Sequence, residues 1–193
     1  MQRMWNGMDD RKIIFLILGE SGAGKDHLVD RLCKTGLKKL VSHTTRERRP
    51  DELDTSHVFS TYDDYAQAKE SEQIIAETCI NGVYYWATKE QLKDADIYII
   101  DPQGCDMLMS MGLPYKFVRV YINVPKSIRR ERAVQRGDSM ETYAKRAADE
   151  FQQFAEMKIR NRYDYAVSNI DSAKASSIVR WIINTERIGT VQN

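Results

Sequence analysis

The chain has 193 residues, 42% of them hydrophobic and 30% charged, with a formal net charge of +1. These proportions fit a folded globular chain and exclude a disordered or collagen-like one. The near-zero balance excludes a surface that would bind nucleic acid or membrane by charge alone. No apolar run reaches spanning length, and the opening MQRMWNGMDDRK lacks the apolar stretch of a secretory signal. A cytoplasmic protein is expected, either monomer or homodimer, with small molecules as partners. Cys33, Cys79 and Cys105 are scattered singly, which suggests reduced thiols and no zinc site.

In chain order, Ile13 to Leu18 is an apolar strand, followed by a glycine-rich loop and a helix from Lys25 to Lys34 that Gly36 ends. Lys38 to Val41 is a short strand. Ser42 to Ser56 is polar and loop-like, with Pro50 as a breaker. Val58 to Thr61 is a strand, and Tyr62 to Lys69 is a helix with Asp63 and Asp64 in its first turn. Ile74 to Ile80 and Val83 to Trp86 flank Asn81-Gly82, a hairpin signal. Thr88 to Lys93 is a short helix, and Ile97 to Ile100 is a buried strand that ends at Asp101. Phe117 to Ile122 is a strand. Lys126 to Arg136 and Met140 to Lys158 are helices interrupted at Gly137-Asp138. Tyr165 to Val167 and Lys174 to Asn184 close the series as strand and helix. This alternation predicts an α/β fold with a mostly parallel sheet covered by helices on both faces. One domain over residues 1–193 is expected, with a small β-rich lobe at about 42–87 and a helical lid at about 126–158.

The loop fits G-x-x-x-x-G-K, with Gly19, Gly24 and Lys25 in the fixed places. Glycines let the backbone N–H groups point inward at phosphate, and the helix start adds positive potential. Gly19, Ser21, Gly22, Ala23, Gly24, Lys25 and Asp26 therefore form the expected ATP-binding loop, with Lys25 bridging the β- and γ-phosphates. A Ser or Thr hydroxyl usually follows that lysine and binds Mg²⁺; here the place holds Asp26. A carboxylate can still hold Mg²⁺, directly or through water. Asp101, at the end of an apolar strand, is a second candidate for holding Mg²⁺ through a water. It could instead bind the acceptor nucleotide or cap a helix.

Later motifs are similar to those of the guanylate kinases, P-loop nucleoside monophosphate kinases, over nearly the whole chain. Ser42-His-Thr-Thr-Arg46 with Arg49 and Glu52 resembles that family's S-x-T-T-R-x-x-R-x-x-E segment. Asn81-Gly-Val-Tyr-Tyr85 resembles its G-x-Y-Y turn, Asp101-Pro-Gln-Gly104 its D-x-Q-G strand end, and Tyr163-Asp-Tyr165 through Asn169 its Y-D-Y-x-x-x-N ending. Arg132, Arg136, Lys145 and Arg146 resemble its arginine-bearing lid. The resemblance implies ATP-dependent phosphorylation of a nucleoside or deoxynucleoside monophosphate with Mg²⁺, GMP or dGMP being the leading acceptor. It implies Ser42, Arg46, Arg49, Glu52, Tyr85 and Asp101 at the acceptor, and Arg132 and Asn169 near the donor. Lys25, Arg136 and Arg146 would stabilise charge during transfer. Arginine forks suit phosphate oxygens, so two anionic nucleotides can be held together against repulsion. Arg129, Arg130, Arg160 and Arg162 are expected on the surface.

Departures from the family concentrate on the acceptor base. The family's guanine-reading glutamate falls at Ala76. Glu77 follows it, and a one-residue bulge could bring it in; without one, alternation turns it to the other face. The residues after Tyr84-Tyr85 are Trp86 and Ala87, so a guanine-reading hydroxyl is missing unless Thr88 substitutes. Trp86 could stack on a different base or block the pocket. His57 stands at the family's tyrosine, with one residue deleted nearby. Two alternatives follow: a kinase for a phosphorylated sugar such as ribose 1,5-bisphosphate, whose relatives share G-K-D, or a catalytically silent guanylate kinase-like binding module.

Overall fold

The computed structural model of the chain describes residues 11–48, 56–80 and 82–189. In chain order the elements are β1 (Ile13–Leu18), α1 (Lys25–Cys33), β2 (Lys39–Leu40), β3 (His43–Thr44), β4 (Val58–Phe59), α2 (Tyr62–Glu70), β5 (Ile74–Ile80), β6 (Val83–Thr88), α3 (Lys89–Asp94), β7 (Ile97–Ile99), α4 (Pro102–Ser110), β8 (Lys116–Asn123), α5 (Lys126–Gln135), α6 (Met140–Ile159), β9 (Tyr165–Ser168) and α7 (Ser172–Gly189).

β1 is apolar at all six positions because both its faces are covered. Ile13, Phe15 and Ile17 pack with Leu28, Leu32, Val179 and Ile183 of α1 and α7. Ile14, Leu16 and Leu18 pack with Leu108, Phe154 and Met157 of α4 and α6. Each such side chain contributes roughly 1.5–3 kcal/mol by leaving water. β1 is the centre of a five-stranded sheet of order β2-β7-β1-β8-β9, in which every pairing is parallel. A parallel sheet covered on both faces gathers the loops at its strand C-termini, where ligands of such folds bind.

A second sheet has order β4-β3-β6-β5. Two of its strands are only two residues long, and β3 falls where the sequence predicts loop. Its His43 and Thr44 are held from both sides, by Val58 and Phe59 in parallel and by Trp86 and Tyr85 antiparallel. Two residues are too few to show a period of two, so tertiary pairing decides. α4 is likewise absent from the sequence prediction. Asp101 caps it by accepting from the Gly104 N–H, and Pro102 occupies the first turn, where a missing N–H costs nothing.

Candidate active site

The loop between β1 and α1 needs its glycines. Gly22 and Gly24 have φ of 82° and 77°. A Cβ on Gly22 would lie 2.3 Å from the Arg129 carbonyl oxygen, and one on Gly24 would lie 2.9 Å from Asn169 Nδ2. Gly24 caps α1 without a side-chain acceptor, so the first N–H groups of the helix remain for an anion. Lys25 Nζ donates to the Gly19 carbonyl at 2.5 Å and so arches over the loop.

The loop is braced from behind. Asn169 Nδ2 donates to the Ala23 carbonyl at 2.7 Å. Arg132 donates to the carbonyls of Asn169 at 2.8 Å and Ile170 at 3.1 Å. These two residues, expected near the donor nucleotide, thus meet the back of the phosphate loop. Buried Glu20 accepts from Tyr121 Oη at 2.8 Å and Lys158 Nζ at 2.6 Å, and Arg129 approaches at 3.7 Å. Burial would raise the Glu20 carboxyl, but these partners together hold it below its ordinary value. Arg129 therefore departs from the expected surface position: its side chain is only 12% exposed, because it pairs with a buried carboxylate. Arg162, expected on the surface too, is also partly covered and pairs with Asp106 and Glu156.

A cavity of about 380 Å³ opens beside the loop, with Asp26, Lys39, Arg46, Tyr85, Arg136 and Arg146 among its lining residues. Arg136 ends α5, and Arg146 comes from α6 across the Gly137-Asp138 bend. Both reach the Asp138 carboxylate, at 2.5 Å and 3.3 Å. Glu150 of α6 accepts from the Ser21 N–H at 2.7 Å and from its hydroxyl at 2.6 Å. Two carboxylates, from the α5–α6 bend and from α6, thus satisfy groups that would otherwise suit phosphate. Arg46 lies over Phe59, 5.6 Å from the ring centroid, and donates to the Glu47 carbonyl at 2.7 Å. Arg49 and Glu52 lie outside the described residues.

Lys39 was not singled out by any motif. It places Nζ 3.3 Å from Asp26 Oδ1. Desolvation would raise the Asp26 carboxyl, but its side chain is 74% exposed and the charges of Lys39 and Lys25 outweigh that effect, leaving the carboxyl below its ordinary value. Asp26 therefore offers an anionic oxygen beside Lys25. Among the described residues no group of three or more His, Cys, Asp or Glu side chains is placed to hold a metal by itself. One carboxylate beside substrate phosphates is the donor set that suits Mg²⁺, which keeps most of its waters.

An adjoining cavity of about 290 Å³ shares Ser21, His57, Tyr85 and Glu150 with the first and continues to Ser42, Ala76, Thr78, Tyr98 and Asp101. Ser42 Oγ lies 3.3 Å from His57 Nδ1. Thr78 donates to Asp101 Oδ2 at 2.5 Å, while Asp101 Oδ1 accepts from the Gly104 N–H at 2.8 Å. Asp101 and Asp26 line different cavities.

Several expected acceptor contacts lie elsewhere. The bulge in β5 falls between Ile74 and Ala76, and Glu77 pairs opposite Trp86. Glu77 still borders the 290 Å³ cavity, but its carboxylate turns to α2, accepting from Tyr65 Oη at 3.0 Å and Lys69 Nζ at 3.1 Å. Trp86 is neither a stacking platform nor a plug: it is 1% exposed and stacks on His43 with ring centroids 5.0 Å apart. Thr88 caps α3 by accepting from the Gln91 N–H. Tyr84 stacks on Tyr65 at 4.0 Å, while its neighbour Tyr85 faces the cavities, as strand alternation requires.

Among known proteins, the guanylate kinase family model matches residues 10–186. A guanylate kinase of Brucella melitensis is 30% identical over 95% of this chain and 87% of its own length. One from Escherichia coli K12 is 31% identical over 91% of this chain and 88% of its own. The crystal structure of guanylate kinase from Anaplasma phagocytophilum shares the fold, with a TM-score of 0.66 and 21% identity, over 91% of this chain and 86% of that one.

Proposed function

This chain belongs to the guanylate kinase family and is a nucleoside monophosphate kinase; we propose that it transfers the γ-phosphoryl group of ATP to GMP or dGMP. The observation that carries this reading is the convergence of Ser21 and Asp26 of the P-loop with Arg46, Tyr85, Arg136 and Arg146 on one cavity, and of Gly19 and Lys25 on the cavity that adjoins it. The family match favours it over a sugar-phosphate kinase or a silent binding module.

Transfer between two anions requires mostly positioning and neutralisation of charge. The loop N–H groups and the α1 N-terminus receive the donor's β-phosphate. Lys25 leaves the Gly19 carbonyl to bridge the β- and γ-phosphates. Arg46 and the Tyr85 hydroxyl hold the acceptor's monophosphate in line with the γ-phosphate. Arg136 and Arg146 exchange Asp138 for the migrating phosphoryl oxygens, and Glu150 gives up Ser21. The region about 126–158 acts as a lid and region 42–87 as the acceptor lobe, so that closure excludes water. Asp26 would hold Mg²⁺ together with the donor phosphates, and the ion would supply neutralising positive charge. The reaction belongs to the cytoplasm, where ATP and nucleotide pools are found; among the described residues no helix is long and apolar enough to cross a membrane.

The test is ADP release from ATP and Mg²⁺ across GMP, dGMP, AMP, dAMP, CMP, UMP, dTMP and ribose 1,5-bisphosphate. GMP or dGMP should give the highest kcat/KM. Turnover confined to the sugar bisphosphate, or none with any acceptor, would overturn the reading.

A further inference from the structure

We propose that Thr78 determines acceptor specificity, reading the guanine N–H edge together with Asp101 in place of a hairpin glutamate. This rests on the guanylate kinase reading above and names how the same site selects its base.

Three observations lead here. Ala76 carries no polar group, and the Glu77 carboxylate is held by Tyr65 and Lys69 on α2. Thr78, two residues beyond Ala76, returns to the Ala76 face of β5 and pairs opposite Tyr85. Its side chain is buried, at 7% exposure, and lines the same cavity as Asp101.

The direction of the hydrogen bond decides what this pair can read. The carboxylate of Asp101 only accepts, so the single Thr78 hydroxyl proton points at Asp101 Oδ2. Thr78 Oγ1 then keeps its lone pairs for the cavity. Asp101 likewise retains acceptor capacity after its bonds from Thr78 and the Gly104 N–H. The Thr78–Asp101 pair thus turns two adjacent acceptors to the cavity. Guanine offers two adjacent donors, N1–H and N2–H₂, on its Watson–Crick edge. Adenine has an acceptor at N1, which would face oxygen lone pairs. Uracil and thymine have one N–H between two carbonyls, and cytosine has one amino group beside an acceptor. Only guanine among the common bases fills both places. A site built around such hydrogen bonds rejects an analogue lacking them, because its buried groups are left unpaired.

The experiment measures kcat/KM for GMP and AMP, KM for ATP and the melting temperature, in wild type, Thr78→Val and Thr78→Ser. Wild type should favour GMP strongly. Thr78→Val should lose about 10–100-fold on GMP, the cost of one buried hydrogen bond, with AMP turnover unchanged or raised and KM for ATP unchanged. Thr78→Ser, which keeps the hydroxyl, should restore the GMP/AMP ratio. A residue that only packs within the second sheet would lower GMP and AMP turnover in parallel. A GMP-selective wild type whose ratio survives in Thr78→Val overturns the assignment while leaving the kinase reading intact. A wild type that ignores GMP overturns both. If Thr78→Val does not fold, an altered GMP/AMP ratio in Thr78→Ser decides against the assignment.

Discussion

The two cavities that meet at Tyr85 and His57 are built in different ways. The phosphate side rests on a contiguous loop, a helix N-terminus and arginines from separate elements, all aimed at one kind of group. Any oxyanion fits such a site, so its parts can be recognised by type. The base side rests on one hydroxyl and one carboxylate from β5 and the β7–α4 junction, set 2.5 Å apart. Its selectivity lies in the direction of a single proton. Affinity for phosphate is therefore spread over many groups, and the choice of base is concentrated in two.

The sharpest way to break the phosphate side is Lys25→Ala, which should lower kcat/KM by about a thousandfold, since a preorganised charge on the transferring group is lost. Unchanged turnover would contradict the loop's role. Arg136→Ala and Arg146→Ala should each cost about a hundredfold or more in kcat by removing positive charge from the transition state, with the GMP/AMP ratio preserved. Arg46→Ala should raise KM for the acceptor by about 10–100-fold, the worth of a hydrogen bond to a charged group, and leave KM for ATP nearly unchanged; equal effects on both substrates would remove Arg46 from the acceptor side.

The smallest effect concerns stability. The Glu20 carboxyl is held below its ordinary value of 4.5 by its partners in the fold. A lowered folded value means that the native state binds fewer protons. The contribution is fully present above pH 4.5 and is lost as the pH falls through the folded value. Melting temperature followed against pH should drop on that acid limb, and Glu20→Gln should flatten the drop. An identical limb in the variant would show that other carboxyls set it.

The sequence made the phosphate side legible because its chemistry is local. Gly19, Gly24 and Lys25 stand at fixed spacing after an apolar strand, and Arg136 and Arg146 flank a Gly-Asp break between helices. Tyr85 followed from the resemblance of Asn81-Gly-Val-Tyr-Tyr85 to the family's G-x-Y-Y turn. The base side was not legible in the same way. Whether Glu77 or its neighbours faced the cavity depended on the place of a bulge, and that place emerged only from pairing with β6. Trp86 looked like a platform by composition, yet packing against His43 and Tyr65 takes it into the core. Thr78 carried no motif. Its signal was its position two residues from Ala76 on the same face, which gains meaning only when Asp101 arrives from the other sheet. Lys39 and Glu150 were hidden for the same reason, since their partners Asp26 and Ser21 lie 13 and 129 residues away in sequence. α4 had a readable start in Asp101-Pro102, but beyond Pro102 only Cys105 and Leu108 bury apolar side chains, too few to show a helical period.

Phosphate and base are read by separable groups, and the ratio of kcat/KM for GMP over AMP in Arg46→Ala beside Thr78→Val separates them. Arg46→Ala should lower both acceptors by a similar factor and keep the wild-type ratio, while Thr78→Val should reduce the ratio by about 10–100-fold. A ratio that moves with Arg46 and stays fixed with Thr78 would contradict that separation.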